Sequence, residues 1–418
     1  MDFQHDERVT ELTTQLWSFM HERVFPVEQK FGEQVAADRD HWGQPPLMAD
    51  LIAEARARGL WNLFLPDARF GAGLSVTQYA PLAEITGWSP LIAPEALNCA
   101  APDTGNMELL TLFGTPEQQQ TWLEPLLDAR IRSCFSMTEP DTASSDADNV
   151  NMSITRDGDD LVLNGRKWWS TGAMRDECAV ALVMGVTDPD AQRGRRHSIV
   201  IVPTDTPGLQ RVRSTSVFGF TDRQEGGHAE LLFDDVRVPV THLLGDQGSG
   251  FAMAQARLGQ GRIHHCMRLL GMAERALDSM CSRVTQRSTF GSLLSEHGVV
   301  QEWIAESRIR IEAARALVYR AAWLMDTAGG SAARTEIAAI KVLVPGTTRY
   351  VVDRAIQAFG GAGLSQDTPL AMLYTQARFL QIADGPDEVH RRSIARSELR
   401  RARTMDGSTS SITSVGPR

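Results

Sequence analysis

Apolar residues recur at helical spacing through residues 10–132, as in Leu12, Leu16 and Phe19 and again in Leu51, Ala55 and Leu60, so this stretch reads as helices. Within it, Gly114-Thr115-Pro116-Glu117 has the form of a helix start. Thr115 can accept from free amides, Pro116 suits the first turn and Glu117 complements the dipole. From residue 133 to about 246 the pattern changes to short runs rich in valine, isoleucine, threonine and tryptophan, bounded by Gly, Asp and Pro. Strands are predicted over 150–155, 161–163, 167–171, 179–186, 198–202 and 229–233, with Arg156-Asp157-Gly158-Asp159-Asp160 turning the first into the second. After Gly245-Asp246-Gln247-Gly248-Ser249-Gly250, long helical periodicity returns. Helices are expected to about 287, over 294–327, over 332–359 and from about 387, separated by Gly329-Gly330 and by Phe359-Gly360-Gly361-Ala362-Gly363.

The predicted class is therefore α+β: an N-terminal helical domain (1–132), a central antiparallel β-barrel domain (133–246), a C-terminal four-helix bundle (247–404) and a flexible tail (405–418). A chain of 418 residues fits two or three domains at about 150 residues each. The net charge of −10 gives no global footprint for nucleic acid, so any polyanion must be held by a local cluster of donors. Lysine is confined to Lys30, Lys167 and Lys341, and none has P-loop spacing. The acidic N-terminus lacks the features of a secretory signal, and no run of about 18 apolar residues suggests a membrane span. Five scattered cysteines form neither a disulfide framework nor a zinc site, which fits a reduced cytoplasm.

Gly-x-Ser-x-Gly, His-Glu-x-x-His and strand-linked Gly-x-Gly-x-x-Gly are all absent, which lowers the weight of nucleophilic hydrolase, zincin and Rossmann readings. His264 and His265 invite a metal reading, but adjacent helical positions point about 100° apart. No metal is expected. Four constellations remain. They are Phe135-Ser136-Met137-Thr138-Glu139-Pro140 with Ser144-Ser145-Asp146; Lys167-Trp168-Trp169-Ser170-Thr171-Gly172; Arg287-Ser288-Thr289-Phe290-Gly291; and Gln357 with Gly360-Gly361-Ala362-Gly363, joined to Ala383-Asp384-Gly385-Pro386-Asp387-Glu388.

In this order and spacing they resemble the acyl-CoA dehydrogenase family over nearly the whole chain, to about residue 403. The branch most similar carries Trp-Trp-Ser-x-Gly-Ala, Gly-Arg-Ile-His-His-Cys-Met-Arg and Ala-Asp-Gly-Pro-Asp-Glu-Val-His, and its animal members are fused behind a kinase-like domain absent from this sequence. The resemblance implies FAD as cofactor, an acyl-CoA substrate, a homodimer or homotetramer, and an electron-transfer flavoprotein as electron acceptor. It places Phe135, Met137, Thr138, Trp168, Trp169, Ser170 and Thr171 around the flavin, with Ser145 or Ser144 on its phosphate or on substrate. Arg287, Phe290, Gln357, Gly360 and Gly361 would grip the flavin of a neighbouring subunit, and Pro386 and Glu388 would touch flavin. Leu258, Gly259, Gly261, Arg262 and Gly385 would line the substrate.

Asp384 stands where many members have the glutamate that removes the α-proton, and it is shorter by one bond, about 1.5 Å. A second subfamily position for the base is Gly261 here, which cannot serve. Burial with substrate is expected to raise the pKa of Asp384. Without the resemblance, the residues alone allow blander readings: Trp168 and Trp169 as ordinary strand residues on opposite faces, Ser144 and Ser145 as a polar turn, Arg287 and Arg262 as helix-surface cations, Glu388 as a dipole partner, and Asp384-Gly385-Pro386 as a turn. The expected reaction is formation of the trans-2-enoyl thioester. The alternatives are an oxidase or flavin monooxygenase on the same fold, or a non-catalytic binder of acyl-CoA or flavin.

Overall fold

A computed structural model describes residues 6–406. The chain begins with helices α1 (Glu7–Phe19), α2 (Glu28–Ala37), α3 (Met48–Ala57), α4 (Val76–Thr86), α5 (Ala93–Ala96), α6 (Asp103–Phe113), α7 (Pro116–Gln118) and α8 (Glu124–Leu127). Leu16, Phe19, Leu51 and Ala55 are buried, so the spacing that predicts these helices also marks their inner faces, and Leu60 is buried three residues past the end of α3. Thr115 caps α7 in a reciprocal capping box with Gln118.

Strands β1 (Arg132–Ser136), β2 (Ser153–Asp157), β3 (Asp160–Thr171), β4 (Cys178–Val186), β5 (His197–Pro203), β6 (Leu209–Thr215), β7 (His228–Pro239) and β8 (Leu243–Leu244) make one eight-stranded sheet. Its order is β6-β7-β3-β2-β4-β5-β8, with β1 on β4. Three departures from expectation stand out. The sheet is largely but not wholly antiparallel, because β1 runs parallel to β4 and β2 meets β4 in parallel at Ser153 and Val186. Strand β1 enters from the helices instead of through a hairpin, and the β2–β3 excursion supplies the connection that parallel pairing requires. The runs 161–163 and 167–171 form one continuous strand, β3, and β6 escapes the sequence pattern because its seven residues are mostly exposed and polar.

Strand β4 is apolar on both faces because each face meets a core. Val180, Leu182 and Met184 pack with the helices, whereas Ala181 and Val183 join a second cluster with Leu163, Leu231 and Phe233.

Long helices follow: α9 (Gly250–Val284), α10 (Gly298–Ala332), α11 (Arg334–Phe359) and α14 (Asp387–Asp406). Between α9 and α10 lie the two-residue strands β9 (Ser288–Thr289) and β10 (Ser292–Leu293). Between α11 and α14 lie α12 (Gly361–Leu364) and α13 (Leu370–Phe379), which the sequence pattern does not separate. Gly329, at φ 78°, breaks the helical geometry inside α10 where Gly329-Gly330 predicts an interruption. Met405 and Asp406, the start of the expected tail, continue α14, and the rest of that tail lies outside the described residues. No described helix is long and apolar enough to cross a membrane.

A buried charge network ties the first helices to the sheet. Glu95 of α5 accepts from Arg175 at 2.7 Å and lies 3.3 Å from Arg132, while Asp103 of α6 pairs with Arg132 at 3.2 Å and accepts from the Ser133 amide and hydroxyl. Burial opposes the charge on Glu95, but Arg175 and Arg132 outweigh it and hold its carboxyl below the ordinary 4.5. Its stabilisation is therefore present above that value and lost as pH falls through the lower folded one. Glu95→Gln, which leaves two buried guanidiniums undercompensated, is expected to cost about 3–5 kcal/mol in denaturant unfolding at neutral pH, with the difference from the parent shrinking in acid.

Candidate active site

The segment Phe135–Pro140 runs off the end of β1, so Met137 and Thr138 lie past the strand, not within it. It is held in place by β3. The Trp168 amide donates to the Thr138 carbonyl at 3.0 Å, and the ammonium of Lys167 donates to the Met137 carbonyl at 2.9 Å and to Glu139 at 2.8 Å. Glu139 also accepts from the amides of Asn151 and Met152, each at 2.8 Å. Lys167 is fully buried, and that burial pushes its pKa down to about 8 against the attraction of Glu139. Burial opposes the charge on Glu139 too, yet Lys167 and the two amides set its carboxyl below the ordinary range.

Strand β3 loses register against β7 between Lys167 and Ser170, and Trp169 adopts a left-handed φ of 55°. This bulge breaks the alternation that would send the two tryptophans to opposite faces. Both are half-buried, edge to face at 6.1 Å. The Trp169 ring lies 5.3 Å from His228 and 6.2 Å from Phe379 of α13. The indole N–H of Trp168 is buried without a hydrogen-bond partner among the described residues. Ser170 is buried with its hydroxyl 2.9 Å from that of Ser136, while the Thr171 hydroxyl meets His228 Nδ1 at 2.9 Å, whose Nε2 faces Asp222 at 3.1 Å. Ser144 closes its own loop by accepting from the Glu139 amide at 2.9 Å, and the adjacent Ser145 is exposed.

Helix α9 carries the second half of the site. Its Arg257 lies over the Phe135 ring at 4.2 Å and donates to Asn106 at 3.2 Å. One and a half turns on, Arg262 donates to the main-chain carbonyl of Asp384 at 3.0 Å, and His265 Nε2 lies 3.5 Å from the Asp384 carboxylate. Asp384 sits in a left-handed turn at φ 56°, followed by Gly385 at φ 100°. Leu258 is buried on α9, whereas Gly259 and Gly261 have open space where a side chain would begin.

Burial opposes the charge of Asp384, but His265, Lys341, Arg257 and Arg262 outweigh it and set its pKa below the ordinary carboxyl value. Four basic groups facing a single carboxylate set this direction, and the rise expected on burial with substrate would start from that lowered value. His265 is pushed down to about 4, by burial first, and is neutral at physiological pH. His264 points elsewhere, edge-on to Tyr79 at 5.1 Å and 3.9 Å from Glu108, in keeping with the angle between adjacent helical positions. Burial raises Glu108 to about 8, so this carboxyl is mostly protonated at neutral pH.

The remaining predicted residues lie apart from this cluster. Pro386 is half-buried at the turn before α14, and Glu388 is exposed beside Arg391 at 3.4 Å. Arg287, Gln357, Gly360 and Gly361 are exposed, and Phe290 is 100% exposed. Among the described residues, no hydrogen bond, ion pair or ring contact joins these five to Trp169 or Asp384.

Three family models cover the chain almost end to end: the acyl-CoA dehydrogenase N-terminal domain over 18–130, the middle domain over 134–236 and the C-terminal domain over 248–399. The chain belongs to the acyl-CoA dehydrogenase family. Among acyl-CoA dehydrogenases, it is 55% identical to a Mycobacterium tuberculosis protein named as a probable member, over 97% of this chain and 98% of that one. It is 50% identical to acyl-CoA dehydrogenase family member 11 of Homo sapiens over 95% of this chain, yet spans only 51% of that protein. A solved Mycobacterium abscessus structure carrying the acyl-CoA dehydrogenase name superposes with a TM-score of 0.92 at 48% identity, covering 96% of this chain and 100% of that one. Butyryl-CoA dehydrogenase of Megasphaera elsdenii superposes at 0.81 with 26% identity, over 96% and 100% of the two chains.

Sequence reasoning passed over His228, Phe379, Arg257, Lys341 and the positioning role of Lys167 with Glu139. For His265 a signal existed: it lies three residues after Arg262, on the same helical face. Lys167→Met would strand Glu139 and is expected to cost about 3–5 kcal/mol in denaturant unfolding. Arg193→Met, at an exposed pair with Asp146 and Asp148, should change stability by less than about 1 kcal/mol.

Proposed function

We propose that this acyl-CoA dehydrogenase family member is an FAD-dependent enzyme that converts an acyl-CoA thioester to the trans-2-enoyl-CoA, with Asp384 as the base. The observation that carries the reading is the Asp384 carboxylate, kept ionised by the basic groups around it on a turn whose main-chain carbonyl Arg262 fastens to α9.

The residues of the strand-end platform suit a flavin. Phe135, Met137, Trp168 and Trp169 offer half-buried apolar surface, and the unpartnered Trp168 indole suits a polar heterocycle. Thr138, Ser170 and Thr171 would complete that platform, Ser145 would meet phosphate or substrate while Ser144 shapes its loop, and Pro386 and Glu388 would approach from the start of α14. Bound FAD supplies an acceptor for the β-hydrogen as hydride, so that loss of the α-proton to Asp384 leaves a carbon–carbon double bond. Asp384 takes the proton at a carboxylate oxygen. Arg262 fixes the turn that presents that oxygen, Gly259 and Gly261 leave open space where side chains would begin, and Leu258 and Gly385 would line the thioester with them. A polarised thioester oxygen makes the α-proton acidic enough for a carboxylate to remove it.

Arg287, Phe290, Gln357, Gly360 and Gly361 face outward, and they support a cofactor site completed by a second copy of the chain. A homodimer or homotetramer passing electrons to an electron-transfer flavoprotein follows from that reading. The test is anaerobic addition of butyryl-, octanoyl- and palmitoyl-CoA to the yellow protein. Bleaching by at least one thioester, with slow reoxidation in air, is expected, and Asp384→Asn should keep its flavin but lose bleaching by at least about a hundredfold. Rapid reoxidation would indicate an oxidase, no bleaching a binder, and bleaching retained in Asp384→Asn would remove this residue from the chemistry.

A further inference from the structure

Asp384 meets one face of α9 at two points. Arg262 grips its main-chain carbonyl and His265, one turn later, faces its carboxylate at 3.5 Å. The other basic groups around it are engaged elsewhere. Lys341 of α11 donates to the Leu380 carbonyl, Arg257 lies against Phe135 and Asn106, and His390 of α14 sits against Gly385, 3.1 Å from where a β-carbon there would fall. His265 is thus the described side chain within ion-pair distance of the Asp384 carboxylate.

We infer that His265 is a positioning residue for the base: its neutral imidazole directs Nε2–H at the Asp384 carboxylate and fixes the rotamer from which this short side chain reaches the α-proton. The inference rests on Asp384 being the base. A glutamate at the same place would have an extra bond with which to reach substrate; an aspartate has less adjustment, so its direction matters more. An imidazolium would orient the carboxylate equally well but would suppress its basicity. Near neutral pH a neutral donor orients it without adding a charge, and burial keeps His265 in that form there; its charge bears on Asp384 only in acid, where both groups titrate. Arg257, Arg262, Cys266 and Arg268 on α9, Lys341 on α11 and His390 on α14 are the other titratable groups around the pair, and the carboxylate and imidazole titrate within that field.

The test compares FAD-loaded parent, His265→Gln, His265→Leu and His265→Phe. Gln keeps an N–H donor; Leu and Phe remove it with different shapes, so either one that retains flavin is sufficient. Two quantities are read against pH: the anaerobic flavin-reduction rate with whichever of butyryl-, octanoyl- and palmitoyl-CoA reduces the parent fastest, and the optical change on binding a β-thia acyl-CoA, which can lose its α-proton but is not oxidised. The donor-lacking variants should reduce flavin about 10- to 100-fold more slowly at neutral pH. The acidic limb of the rate profile and the midpoint of the β-thia titration should both move to higher pH, and Gln should restore most of the rate. Parent-like rates and limbs in Leu or Phe, or a Gln variant as slow as they are, would overturn the role of His265. Asp384→Asn run alongside separates the two levels: unchanged reduction there overturns the base assignment and this inference together, whereas lost reduction there with unaffected Leu or Phe variants overturns this inference alone.

Discussion

The site depends on how closely α9 approaches α4. Gly271 of α9 lies against the α4 backbone, where an added β-carbon would fall 1.9 Å from the Glu84 carbonyl oxygen. Gly87, just after α4, lies equally close to α9, 2.0 Å from the Arg268 carbonyl oxygen by the same measure. Two glycines remove the side chains that would hold the helices apart, and α9, also covered by α10 and α11, buries eighteen residues. A helix seated so deeply can present Arg257, Arg262 and His265 toward the interior at fixed height. Neighbouring ion pairs reinforce the seat, because Glu84 and Glu274 share Arg315 of α10.

The sheet contributes the opposite wall by a different device. Buried Lys167 and Glu139 fasten the segment after β1 to β3, and the bulge at Trp169 turns one tryptophan toward His228 and Phe379. Phe379 ends α13, five residues before Asp384, so the aromatic cluster and the carboxylate belong to one short stretch of chain. Sheet and bundle therefore converge where a thioester could meet a flat cofactor, although neither half alone has the groups for the chemistry.

Much of this was readable from the sequence, for reasons that can be stated. Long amphipathic helices announce themselves by period, and β4 is conspicuous because both its faces are apolar. The platform residues and Asp384 were found through motif resemblance, which carries position but not geometry. Nothing local marks Trp169 as left-handed, since no glycine stands there, and His228 meets Thr171 only through the pairing of β3 with β7. The lowered pKa of Asp384 was not legible, because its four basic neighbours come from two helices and a one-dimensional pattern cannot add their fields.

On the proposed function, Asp384, presented by α9, is the group that meets the α-carbon. A crystal structure of the FAD-bound protein with a β-thia acyl-CoA tests this most directly. The claim predicts an Asp384 carboxylate oxygen within about 3–3.5 Å of the α-carbon, with Arg262 still on the Asp384 carbonyl. An α-carbon lying against a different carboxylate, with Asp384 turned away from the thioester, would contradict it.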